Sequence, residues 1–171
     1  MSKRLAPPED VKTVGLLGLG AVGCGWAATY LARCHQVLAY DPAPDALEKA
    51  KAFLDQAWPA LTRLGVAKTP APPLEQLQML DLASVSRGAD IIHENAPENV
   101  EVKRDLLRQV EAHCRPDIPI CSRSGEIPPA DIQDTLQSGW RILVAHPFNP
   151  PHLVPLVEII GGKQTSEEAV G

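Results

Sequence analysis

The stretch that most restricts how this chain can fold is residues 12–23. A short apolar run, KTVGLL, passes without a break into Gly18-Leu19-Gly20-Ala21-Val22-Gly23. An apolar run of that length, stopped by glycine, reads as a buried strand. The glycines then open a helix through about Arg33, with Trp26, Ala27, Tyr30 and Leu31 as its apolar stripe. A second strand, residues 37–40, stops at Asp41, eighteen residues after Gly23. Strand, glycine turn, helix and acidic strand end, in that order, form a dinucleotide fingerprint. Gly18 would permit the tight turn, Gly20 would let backbone approach a pyrophosphate, and Gly23 would let helix and strand pack closely. The helix start, with Ala21 and Val22 in its first turn, offers N–H donors and a partial positive charge. Asp41 would accept hydrogen bonds from the adenosine ribose hydroxyls. A 2′-phosphate would meet that carboxylate, and no Arg or Lys follows in the loop to receive it. NAD is therefore the expected cofactor, rather than NADP.

The rest of the chain repeats the alternation. Pro42, Pro44 and Asp45 start a helix carrying Leu47, Ala50, Phe53, Leu54 and Trp58, which Pro59 should kink or end. Residues 64–74 are a Pro-rich connection. Residues 77–80 read as a weak strand, with Asp81 capping a short helix to Arg87, and 90–94 as a fourth strand. Residues 98–114 read as a helix with Val102, Leu106, Leu107 and Val110 facing inward. A fifth strand (118–121), a short helix (129–136) and a sixth strand (141–145) follow. The pattern predicts an α/β, Rossmann-type, doubly wound and mainly parallel sheet. One domain is expected over 1–171, with its core at 11–162 and a polar tail from Gly161 that reads as the start of a linker.

Composition removes several function classes. The net charge of -5 comes with no basic block, which argues against nucleic acid and anionic membranes as partners. No apolar run approaches the ~20 residues of a membrane span. The four cysteines, Cys24, Cys34, Cys114 and Cys121, show no C-x-x-C pair, so no metal site is expected. With this fold they read as reduced thiols of a cytoplasmic protein.

The second informative stretch is residues 146–158, HPFNPPHLVPLVE. The apolar run 142–145 precedes it, and Leu153-Val154 and Leu156-Val157 form another, interrupted by Pro155. Strand, Pro-braced turn and strand would return Glu158 to the side of His146. Imidazole beside carboxylate is the pairing a general base needs, since the carboxylate fixes the tautomer and stabilises the imidazolium.

Taken together, GLGAVG, the strand-end Asp41, ENAPENVEVK at 94–103, SRSGEI at 122–127 and HPFNPPHLVPLVE resemble the NAD-binding domain of the 3-hydroxyacyl-CoA dehydrogenase family. The resemblance covers residues 12–162. It implies His146 as the catalytic histidine, Glu158 as its partner, Asn149 as the turn asparagine and Ser124 as the serine near the substrate hydroxyl. It places Glu98 and Lys103 near the nicotinamide half of NAD. It further implies a C-terminal helical domain, absent from this chain, that would close the substrate pocket and form a homodimer. The small-molecule substrate would be a 3-hydroxy acid or a 3-hydroxyacyl-CoA. Two departures matter. The serine segment usually reads S-S-T-S-G, whereas here Arg123 intervenes. The long Lys-bearing hairpin that contacts CoA in fatty-acyl members is replaced by the short connection 64–74, with Lys68 as its one cation. The second, with DPAP at 41–44, AWPAL at 57–61 and the form of the HPFNP segment, makes the chain more similar to the branch acting on free hydroxy acids such as carnitine and gulonate, while the first leaves two readings of Arg123, a solvent-facing side chain or a charge beside the substrate.

Overall fold

The computed structural model describes residues 4–171. Seven strands form one sheet: β1 (Thr13–Leu17), β2 (Gln36–Tyr40), β3 (Leu77–Met79), β4 (Ile91–Glu94), β5 (Ile120–Ser122), β6 (Ile142–Pro147) and β7 (Val157–Gly161). Between and after them lie α1 (Ala21–Leu31), α2 (Ala46–Arg63), α3 (Leu82–Gly88), α4 (Val100–Glu111), α5 (Pro129–Gln133) and α6 (Glu167–Val170). The strand order is β3-β2-β1-β4-β5-β6-β7. All pairs are parallel except β6 with β7. The fold is the doubly wound sheet read from the sequence, closed by a strand-turn-strand unit.

Successive strand residues point to opposite faces, and each face buries its own cluster. Val14, Leu16, Val37 and Ala39 pack with Trp26, Leu31, Leu54 and Trp58 of α1 and α2. Leu17, Leu38 and Ile120 pack with Val85, Leu107, Val110 and Ile132 of α3, α4 and α5. The chain winds outward from β1 in one direction and from β4 in the other. A crevice therefore opens at the carboxyl ends of these two strands, where ligands of such sheets bind.

Five expectations need correction. Pro59 does not end α2, which runs on to Arg63. Its last turn is anchored by buried Trp58 and Leu61, by the Trp58 indole N–H on the Thr69 carbonyl (3.0 Å) and by Val66 N–H on the Leu61 carbonyl (3.0 Å). These contacts outweigh the hydrogen bond that proline removes. Helix α4 starts at Val100, because Asn99 caps it by accepting from Glu101 and Val102 N–H; Glu98 therefore lies in the preceding loop. Val102 faces outward, 44% exposed, while Lys103 is fully buried beside Leu107 and Val110. Leu153 and Val154 lie in the turn, and the returning strand begins only at Val157. The tail is also ordered against the sheet: Thr165 Oγ1 donates to the Ile142 carbonyl (2.7 Å), and Ser166 N–H to that of Trp140 (2.7 Å).

Candidate active site

The glycine turn forms as its residues require. Gly18 sits at φ +95, where a side chain would also press on the Asn95 backbone. A Cβ on Gly23 would overlap the Gly18 carbonyl. Gly20 differs from both, because nothing lies within 4 Å of where its side chain would be. It faces open space at the start of α1, as a backbone that must approach a phosphate should. Asp41, at the end of β2, is fixed by two backbone donors: Leu19 N–H to Oδ2 at 2.7 Å and Ala43 N–H to Oδ1 at 2.8 Å. The first of these ties the acidic residue directly to the glycine turn.

These residues line a groove of about 610 Å³, with Gly18, Gly20 and Asp41 on one wall and Asn95, Ala96, Pro97 and Arg123 among the others. The volume suits a sizeable organic ligand. Its one lining cation among the described residues is Arg123. A carboxylate at Asp41, held by the Leu19 and Ala43 amides and, among the described residues, by no basic side chain, fits a ribose diol and disfavours a ribose phosphate.

Under the groove floor lies a polar cluster that the sequence reading missed in part. Glu94, at the end of β4, and Lys103, on α4, are both fully buried. Lys103 Nζ bonds both Glu94 oxygens at 2.9 Å and the Ala96 carbonyl at 3.2 Å, and stands 3.7 Å from Glu98. Glu94 also accepts from Ser122 Oγ (2.6 Å) and Ala96 N–H (2.5 Å). Every partner of Lys103 is thus protein. Its ammonium is covered by Glu94, the Ala96 carbonyl and Glu98.

Ser124 belongs to the same cluster. It is 2% exposed; its hydroxyl donates to Glu98 and accepts from Ile127 N–H at 3.0 Å. It lines neither cavity, and no hydrogen bond among the described residues joins it to His146. Glu98 caps the turn that follows, accepting from Gly125, Glu126 and Ile127 N–H at 3.1–3.3 Å. Burial works to raise the Glu98 carboxyl. The Ser124 hydroxyl, the Glu126 and Ile127 amides and the Lys103 ammonium outweigh it and hold the group at about 2.

His146, Asn149 and Val22 meet in a second cavity of about 290 Å³, with Arg123, Pro147 and Phe148. His146 and Glu158 are direct partners in the antiparallel β6–β7 ladder, so their side chains leave the same face. No hydrogen bond or ion pair among the described residues joins the two, and Glu158 is exposed. The imidazole instead has Nδ1 3.0 Å from the Arg123 carbonyl. A carbonyl only accepts, so this contact puts the proton on Nδ1 and leaves the Nε2 lone pair free. Gly125 makes room for the ring: a Cβ there would come within 2.8 Å of His146 Cε1. Its place in SRSGEI, ahead of the histidine strand, was the available signal.

His93 takes no part in the groove. It is buried against Trp26 and 2.7 Å from the Tyr30 hydroxyl, and burial lowers its pKa to about 4. Buried Cys24 and Cys121 have thiols pushed up by burial to about 11 and about 12, which leaves them unreactive as nucleophiles. No group of metal-ligating side chains occurs among the described residues, and no described helix is long and apolar enough to cross a membrane.

Fold and groove define a dinucleotide-binding α/β domain. Residues 13–171 match the family model described as 3-hydroxyacyl-CoA dehydrogenase, NAD binding domain, and the chain belongs to that family, whose cofactor is NAD. It is 41% identical over 167 residues to an L-carnitine dehydrogenase of Streptomyces coelicolor, covering 97% of this chain and 52% of that one. It is 37% identical over 163 residues to a 3-hydroxyacyl-CoA dehydrogenase of Gibberella moniliformis, covering 95% and 50%. Among solved structures, an NAD+-dependent dismutase, 5-formyl-3-hydroxy-2-methylpyridine 4-carboxylic acid 5-dehydrogenase, superposes with a TM-score of 0.85 at 33% identity, over 94% of this chain and 52% of that one. The 3-hydroxybutyryl-CoA dehydrogenase of Escherichia coli K12 superposes with a TM-score of 0.85 at 29% identity, over 94% and 34%. The chain spans about half the length of the curated relatives it matches.

Proposed function

We propose that this chain is the cofactor-binding half of an enzyme that oxidises the hydroxyl of a free 3-hydroxy acid such as carnitine, with His146 as the general base. The carrying observation is the His146 tautomer, set by the Arg123 carbonyl, in a cavity that adjoins the groove through Arg123. Likeness to L-carnitine dehydrogenases supports the substrate class. A 3-hydroxyacyl-CoA is the second reading, favoured by the Gibberella moniliformis relative.

Gly18, Gly20 and Gly23, with Ala21 and Val22 at the head of α1, would hold the pyrophosphate, and Asp41 the adenosine ribose. Bound NAD supplies the hydride acceptor. His146 Nε2 accepts the substrate hydroxyl proton, while Nδ1–H stays on the Arg123 carbonyl and keeps the ring from turning. The resulting imidazolium is stabilised across the ladder by Glu158, whose effect grows once water is excluded from the exposed hairpin. Asn149 shapes the turn that carries the cavity wall. Ser124, Glu98 and Lys103 position the loop between the two cavities. Phe148, Leu156, Ile159 and Ile160 are 48%, 53%, 43% and 41% exposed on and beside the hairpin. That apolar surface supports a further helical domain, and through it a homodimer, as its cover in the whole protein.

The test is steady-state oxidation of L-carnitine and of 3-hydroxybutyryl-CoA by the whole protein, followed by NADH absorbance. Turnover of carnitine at least tenfold more efficient than that of the thioester supports the first reading. The reverse order selects the second, and oxidation of neither rejects both.

A further inference from the structure

We propose that Arg123 is the carboxylate-recognising residue of this site, so that it selects free 3-hydroxy acids over their thioesters. This rests on the reading of His146 as the base. Arg123 combines two properties found in no other described residue. Its carbonyl holds the His146 imidazole at 3.0 Å, and it is a cationic residue that lines both cavities, with its guanidinium Nη2 3.5 Å from the Ala96 carbonyl of the groove wall.

The charge has no acid of its own. Its closest hydrogen bond is a long one, Nη2 to the Ala96 carbonyl at 3.5 Å, and no carboxylate lies within ion-pairing distance among the described residues. Lys103, the neighbouring cation, is already held by Glu94 and Glu98. Apart from His146, the other residues of the smaller cavity, Val22, Pro147, Phe148 and Asn149, are uncharged. A half-buried guanidinium has given up part of its hydration without a counter-charge, and a bound anion restores the balance. The cofactor pyrophosphate already has a seat at the amino end of α1. An anion beside His146 has Arg123 alone. The guanidinium fork matches a carboxylate with two parallel hydrogen bonds, and a cavity of about 290 Å³ admits an acid of a few carbons. A thioester carries no charge at the same carbon and gains nothing from the fork.

The experiment is calorimetric titration of the NADH-loaded protein with L-carnitine, 3-hydroxybutyrate and the methyl ester of each. Wild type, Arg123→Ser and Arg123→Lys are compared, and NADH affinity is measured first for each. Arg123→Ser should weaken binding of the acids roughly 10- to 100-fold, the loss of a charged hydrogen-bond pair. Arg123→Lys should lose less, keeping charge without the fork. The preference for acid over ester should collapse in the serine variant when all three proteins are compared at saturating NADH. In turnover, the loss for the acids should fall more on KM than on kcat. Equal weakening of acid and ester, or no binding of either acid to wild type, overturns the proposal. So does a loss confined to NADH affinity, which would make Arg123 a pyrophosphate clamp. A His146→Gln protein that keeps full turnover removes the proposed base, yet leaves the acid-against-ester binding result to decide Arg123.

Discussion

The two ends of the proposed site differ in how finished they are. At the nucleotide end, Glu94 and Lys103 are wholly out of water, and each oxygen and proton they carry is met by Ser122, Ala96 or Glu98. At the histidine end, His146 and Glu158 face each other across an exposed ladder with no bond between them. The first is complete within 171 residues. The second has its base oriented by backbone but its carboxylate still in solvent. A buried ion pair must be fully satisfied or it costs several kcal/mol, whereas an exposed pair is worth little in either direction. The chain therefore folds around the first and carries the second as an addition.

Breaking the buried end should have the largest effect. Lys103→Met leaves Glu94 as an uncompensated charge and should cost about 3–5 kcal/mol of stability, read from urea unfolding. A loss below about 1 kcal/mol would mean that water reaches the pair. His146→Gln probes the other end. In the whole protein it should lower kcat by ~100- to 10,000-fold, with NADH affinity and unfolding midpoint nearly unchanged. Parallel loss of turnover and cofactor binding would show that the two ends are not separable. Asp41→Ala should weaken NADH roughly 10- to 100-fold by fluorescence titration, because a charged acceptor is lost.

The smallest effect concerns pH. His93 is lowered from 6.5 to about 4 in the fold, so the unfolded chain binds its proton first. Stability from this group is complete above pH 6.5 and is lost as pH falls toward 4. Glu98, lowered from 4.5 to about 2, adds a second loss only below about pH 4.5. Between pH 6.5 and about 5, wild type should lose about 1–2 kcal/mol relative to His93→Gln. Identical slopes for the two proteins would place His93 in contact with water.

Parts of both ends were legible in the sequence because their signals are local. A glycine turn at a strand end, an acid closing the next strand and a Pro-braced hairpin are each written within a few residues. The cross-strand register of His146 with Glu158 followed from the turn length. Pairings made across the fold were not legible. Lys103 shares the i, i+4, i+7 stripe with Leu107 and Val110, which could have placed it inside, but a lysine there is credible only once Glu94 is known to wait beneath it. Ser124 was expected beside the substrate; its hydroxyl turns to Glu98, a partner 26 residues earlier that only the β4–β5 pairing brings near. Pro59 was read as a kink or an end because the burial of Trp58 and Leu61, which carries the helix past it, is tertiary.

The sheet terminates at β7, whose residues from Glu158 to Gly161 are exposed. Its outer row of amide and carbonyl groups is an open template for a further strand, and Ile159 and Ile160 offer apolar grip beside it. Prepared by itself at high concentration, this unit should aggregate by strand addition at that margin. A lysine at position 160 would be the simplest safeguard for handling it.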